Sequence, residues 1–109
     1  MMSQFPCPYL KGKVELTEER RRHIAERHPD LLPERLDRVA ETIQDPDQVR
    51  RSTRFGNARL FSRQYTDARG GKHVVVVVVS ELDPEIRHWI ITAYQTRQLA
   101  EGELEWKRN

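Results

Sequence analysis

Apolar residues return at Leu32, Leu36, Val39, Ala40 and Ile43, at spacings of four, three, one and three, the stripe of an amphipathic helix. Pro33 suits the first turn of that helix and Asp45-Pro46-Asp47 ends it. An earlier helix is predicted over residues 17 to 28. Thr17 is its N-cap, Glu18 and Glu19 complement the positive end of the helix dipole, and Pro29 drives His28 out of the helical region. Its only good apolar residues are Ile24 and Ala25, so it must lie against something larger.

The period then changes to that of strands. QVRRSTR (48–54) and ARLFSRQY (58–65) flank Gly56-Asn57 as a hairpin, KHVVVVVVS (72–80) follows a turn at 67–71, and EIRHWIITAYQT (85–96) follows Leu82-Asp83-Pro84. Short turns between four strands imply an antiparallel meander, with the valine run, apolar on both faces, at its centre. The expected fold is α+β: two N-terminal helices packed on a four-stranded antiparallel meander sheet. It forms one domain over residues 1–109, with 1–12 and 97–109 peripheral. The tail offers Leu99, Leu104 and Trp106 for a last strand or short helix.

A third of the residues are charged and 37% are hydrophobic, as expected of a globular protein with a thin core. The longest apolar run, VVVVVV at 74–79, is strand-sized, and MMSQFPCPYL lacks the basic-then-apolar order of a signal peptide, so a cytoplasmic protein without a membrane span is expected. Cys7 is the only cysteine, which excludes an internal disulfide and reads as an inert thiol near a loose terminus.

The net charge of +2 hides an uneven distribution. Residues 48–80 carry Arg50, Arg51, Arg54, Arg59, Arg63, Arg69 and Lys72 against Asp67 alone, and the remainder is acidic. Arginine outnumbers lysine fifteen to four. A guanidinium fork matches phosphate oxygens two at a time, so the cluster points to a polyanion. Genome base composition and solvated strand faces explain it equally well.

His23 and His28 lie five residues apart, roughly 140° around a helix, and cannot jointly grip one metal. No metal and no cofactor are expected. His23 shares a stripe with Arg20 and Arg27, whereas His28 shares one with Ile24 and, before a proline, is equally a helix terminator. Alternation in the last strand puts Ile86, His88, Ile90, Thr92, Tyr94 and Thr96 on one face. That face starts apolar and ends in hydroxyls. It reads as the rim of a site, or as a strand emerging from the core. In the hairpin, Arg54 and Arg63 have no evident acidic partner and could brace a phosphate between them, or simply be solvated.

The segments LTEERRRHIAERHPDL, DPDQVR, LFSRQY, VVVVVV and WIITAYQT, in this order and spacing, resemble the phage-associated nucleases of the barnase, EndoU, colicin tRNase and RelE group, and more loosely the BrnT toxins. The likeness runs from Leu16 to Thr96; the closing strand reads TAYQT where BrnT carries an arginine. The resemblance implies a RelE/barnase-like fold and metal-independent cleavage of RNA, by a toxin paired with an antitoxin or immunity protein or by a phage effector. It places His23, Arg27 and His28 on the helical element, Arg54 and Arg63 on the basic strands, and Thr92 with Tyr94 on the closing strand. In that scheme a 2′-hydroxyl attacks the adjacent phosphate, His23 by preference and His28 second move a proton, and Tyr94, with the Thr92 hydroxyl, complements them. Arg27, Arg54, Arg63 and Thr96 hold the substrate. The competing expectation is a non-catalytic module that binds RNA or a protein partner, with Phe55, Phe61 and Tyr65 as a small stacking platform.

Overall fold

In the computed structural model, residues 2–66, 71–99 and 102–109 are described. Seven strands and two helices follow in the order β1 (Ser3–Cys7), β2 (Gly12–Leu16), α1 (Glu18–Arg27), α2 (Leu36–Gln44), β3 (Gln48–Arg51), β4 (Ala58–Tyr65), β5 (Lys72–Glu81), β6 (Arg87–Thr96) and β7 (Glu103–Lys107). All strands belong to one sheet, ordered β1-β2-β6-β5-β4-β3-β7. Every pair is antiparallel except β2 with β6, which is parallel through Val14–His88 and Glu15–Trp89.

This overturns the expected fold. The sheet is mixed and has seven strands rather than four, and a hairpin precedes the helices. The reason lies in the terminal segments. β1 and β2 each send only two residues inward, Phe5 and Cys7, Val14 and Leu16, while every residue of β7 is exposed. Such short patterns carry little period-2 signal. The β2–β6 pairing joins residues far apart in sequence, so no turn announces it. Cys7 is accordingly buried in the core cluster, and burial raises its thiol pKa.

Both helices cover one face of the sheet, here the inner face. Thr17 caps α1 as its spacing predicts, its hydroxyl accepting from the Arg20 amide. α2 starts only at Leu36; Leu31 and Leu32, fully buried, enter the core from the turn before it, so Pro33 is not in its first turn. The helices meet Val14, Leu16, Val49, Phe61, Val74, Val76, Val78, Ile90 and Ala93 of the sheet in a single core. α2 packs on β1, β4 and β5, and α1 on β6. Among the described residues no helix is long and apolar enough to cross a membrane.

Two irregularities decide which side chains share a face. On β6, Val77 pairs with Thr92 but Val78 pairs with Ile90, so Ile91 is the extra residue of a bulge. A bulge shifts the alternation. His88, Ile90 and Ala93 therefore face inward while Thr92, Tyr94 and Thr96 face outward, so the single face expected for all of them is corrected. On β7 the ladder to β3 passes from Leu104 to Trp106 and leaves out Glu105, whose carboxylate turns to the inner side. There it accepts the Tyr9 hydroxyl at 2.6 Å. The Tyr9 ring also lies 5.9 Å from Phe61 and 6.1 Å from Trp106, between centroids, so the β1–β2 turn reaches β7 at the other edge of the sheet.

Candidate functional site

β2 covers only the first part of β6, and α1 with the segment after it lies along the rest. Pro29 ends α1, His28 becomes the C-cap with its amide bonded to the Ile24 carbonyl at 2.7 Å, and the Gln95 amide donates to the Asp30 carbonyl at 2.9 Å. These bonds fix His28 beside the end of β6. Its ring meets that of Tyr94, with centroids 6.0 Å apart at a tilt of 40°.

Tyr94 also borders a cavity of about 20 Å³ on the outer face, with Arg50, Ser62, Thr96, Gln98 and Leu99 around it. That is room for one water, not for a nucleotide. Arg50 donates to Gln48 Oε1 at 3.1 Å and reaches the Gly102 carbonyl at 3.5 Å; the Thr96 hydroxyl donates to the Gln98 carbonyl at 2.9 Å. Ser62 Oγ is buried and has no hydrogen-bond partner among the described residues.

The structure thus brings together His28, Tyr94 and Thr96, with Thr92 on the same face and exposed Arg27 preceding His28. His23, half-buried on α1, is not the histidine against Tyr94. The two predicted arginines do not meet. Arg54 lies exposed in the turn between β3 and β4, whereas Arg63, five residues along β4 from Ala58, points inward to α2. Its guanidinium donates to the Asp45 carbonyl at 2.7 Å and lies 3.2 Å from the Asp45 carboxylate and 3.5 Å from that of Glu41. The expectation that Arg63 lacks an acidic partner is therefore corrected, because α2 supplies two. The hairpin arginine that lines the same cavity as Tyr94 is Arg50. Its register opposite Leu60, with the outward set of β4, was the signal for it.

The inner face carries a second group at its far end, in a cleft of about 480 Å³ between the β1–β2 turn, the β3–β4 turn and the β5–β6 turn. Arg51 and Arg59 stand opposite each other across β3 and β4, and Glu105 accepts from Nε of both, at 2.9 and 2.7 Å. Burial by itself raises the Glu105 pKa, but hydrogen bonds from Tyr9, Arg59 and Arg51 outweigh it and hold the carboxyl at about 2. Burial, with the Glu105 carboxylate, pushes the Tyr9 phenol up to about 12. His88 is buried, with Nδ1 2.6 Å from Ser80 Oγ, and burial followed by the Arg59 charge lowers its pKa from 6.5. Sequence reasoning missed this group because its members come from five strands and a turn. No three or more His, Cys, Asp or Glu side chains among the described residues are grouped to hold a metal.

No protein-family model, no curated protein and no solved structure matches the chain.

Proposed function

We propose that the chain is a metal-independent endoribonuclease of the barnase, EndoU, colicin tRNase and RelE group, working on the outer face of its sheet in the cytoplasm. The observation that carries the reading is the contact of His28 with Tyr94, an imidazole and a phenol held together where the end of α1 meets the end of β6. The order of the sequence segments from Leu16 to Thr96 supports the same class.

In this reading a 2′-hydroxyl gives up its proton as its oxygen bonds to the adjacent phosphorus, the bond to the 5′-oxygen breaks, and the leaving oxygen takes a proton. His28 accepts the first proton or donates the second, and Tyr94 is its complement or positions the phosphate. Arg27, next to His28 in the chain, and Arg50, which lines the cavity that Tyr94 borders, offset charge that builds on the phosphate oxygens. Thr92 and Thr96 flank the phenol. An antitoxin or immunity protein would act by covering this face.

One observation favours a non-catalytic alternative. Arg50 and Thr96 already hold internal hydrogen bonds, as a structural face that merely binds RNA or a partner would have them. Incubating the purified protein with total RNA in EDTA separates the two. The nuclease yields fragments ending in a 2′,3′-cyclic phosphate; His28→Ala and Tyr94→Phe abolish them and His23→Ala does not. RNA that is bound in a salt-dependent way but stays intact moves the protein to the binding class. RNA neither bound nor cut ends both readings.

A further inference from the structure

We propose that the cleft at the end of the inner face binds a small organic phosphate of the nucleoside monophosphate type: a phosphate monoester on a planar, largely apolar body. The site opens on the opposite side of the sheet from Tyr94, and the inference is independent of the nuclease reading.

Two guanidinium groups directly opposite on an antiparallel pair repel each other. Here Arg51 and Arg59 are kept in that arrangement, and one carboxylate, Glu105, fixes both through Nε. Arg51 Nη1 is further held by the Gly56 carbonyl at 2.7 Å. Among the described residues neither terminal nitrogen of Arg59 has a protein hydrogen bond, and Arg51 retains Nη2. Two forks oriented beforehand toward a cleft, with one negative charge between them, leave a positive surplus, and Lys11 on the rim adds to it. A phosphate dianion is the group whose geometry fits paired forks. Ser80 occupies Nδ1 of His88, which leaves Nε2 as that ring's remaining polar atom in the lining.

The rest of the cleft argues for more than an inorganic ion. Its volume of about 480 Å³ is that of a site for a small organic molecule. Leu82 and Ile86, each 72% exposed, give the lining an apolar part, and Tyr9 also borders it. Large aliphatic side chains that far out of the core are costly to leave in water and suit a flat apolar body.

Calorimetry on the full chain tests this, with adenosine 5′-monophosphate, inorganic phosphate and adenosine as probes. The monophosphate is expected to bind more tightly than either part. Two variants address the site without relying on one another. Arg59→Gln removes a fork. Gly56→Leu adds a side chain at the lining of the cleft, and a Cβ there meets nothing within 4 Å, so the change costs the fold little. Each is expected to weaken the monophosphate about ten-fold or more, with an unchanged circular dichroism spectrum, while Arg22→Gln on exposed α1 has no effect. Phosphate binding as tightly as the monophosphate overturns the organic ligand. Absence of saturable binding, or binding indifferent to Gly56→Leu, overturns the site. Binding lost in His28→Ala places the ligand on the outer face and also overturns it.

Discussion

The hydroxyl of Ser80 lies 2.6 Å from Nδ1 of His88 across the β5–β6 pair, in a part of the sheet where the imidazole is almost fully buried. Burial favours the neutral ring, so the folded chain resists a proton that the unfolded chain accepts from about pH 6.5 downward. This contribution to stability is complete above pH 6.5 and is lost as pH falls through the lowered pKa of the folded state. Urea denaturation followed from pH 7 to pH 5 is expected to show a falling midpoint, and His88→Gln to flatten that slope. A slope unaffected by the substitution assigns it to other groups.

Glu105 ties Tyr9, Arg51 and Arg59 together, and Glu105→Gln is expected to cost about 1–2 kcal/mol by denaturant titration, because two opposed guanidiniums lose their common counter-charge. The same substitution changes the alkaline limb. Tyr9 stays protonated in the fold up to about 12, while an unfolded phenol ionises near 10, so its contribution is present below pH 10 and lost between 10 and about 12. Tyr65, raised to about 12 by burial and by Glu41, follows the same course, so Glu105→Gln is expected to weaken only part of that limb.

Gly102 has φ of +90°, and a Cβ there would stand 2.9 Å from the Arg51 carbonyl and 3.1 Å from Arg50 Cβ. Gly102→Ala combines a strained backbone with a backbone clash and is expected to destabilise by about 2 kcal/mol in thermal or urea unfolding. It also disturbs Arg50, whose Nη1 reaches the Gly102 carbonyl, so RNA binding or cleavage by the folded fraction is expected to fall as well.

Cys7 is 1% exposed, and burial holds its thiol in the protonated form. A soluble aromatic disulfide reagent is expected to label it only after denaturation, at a rate set by global unfolding. Rapid labelling of the native protein would mean that β1 opens by itself.

The central strands were legible because their apolar runs are long and Gly56-Asn57 punctuates them, and α1 because Thr17 and Pro29 mark both ends. The two faces of β6 were not. A single extra residue, Ile91, reverses the alternation, so His88 and Tyr94, which share a parity in the sequence, lie on opposite sides of the sheet. The partners of Arg63 escaped notice because Glu41 and Asp45 approach from α2 rather than along the hairpin. Between His23 and His28 the proline decided: as the helix terminator, His28 is carried to the end of β6, while His23 stays on the body of α1.

Tyr9 and Glu105 are separated by 96 positions along the chain yet share a hydrogen bond. Tyr9 is made long before Glu105. The amino-terminal hairpin can meet α2 early, but β2 gains its parallel neighbour only with β6, and Tyr9 gains its carboxylate only with β7. Assembly of the sheet is therefore expected at a pace governed by closing very long loops, and β5 lacks one of its two neighbours until β6 has followed it.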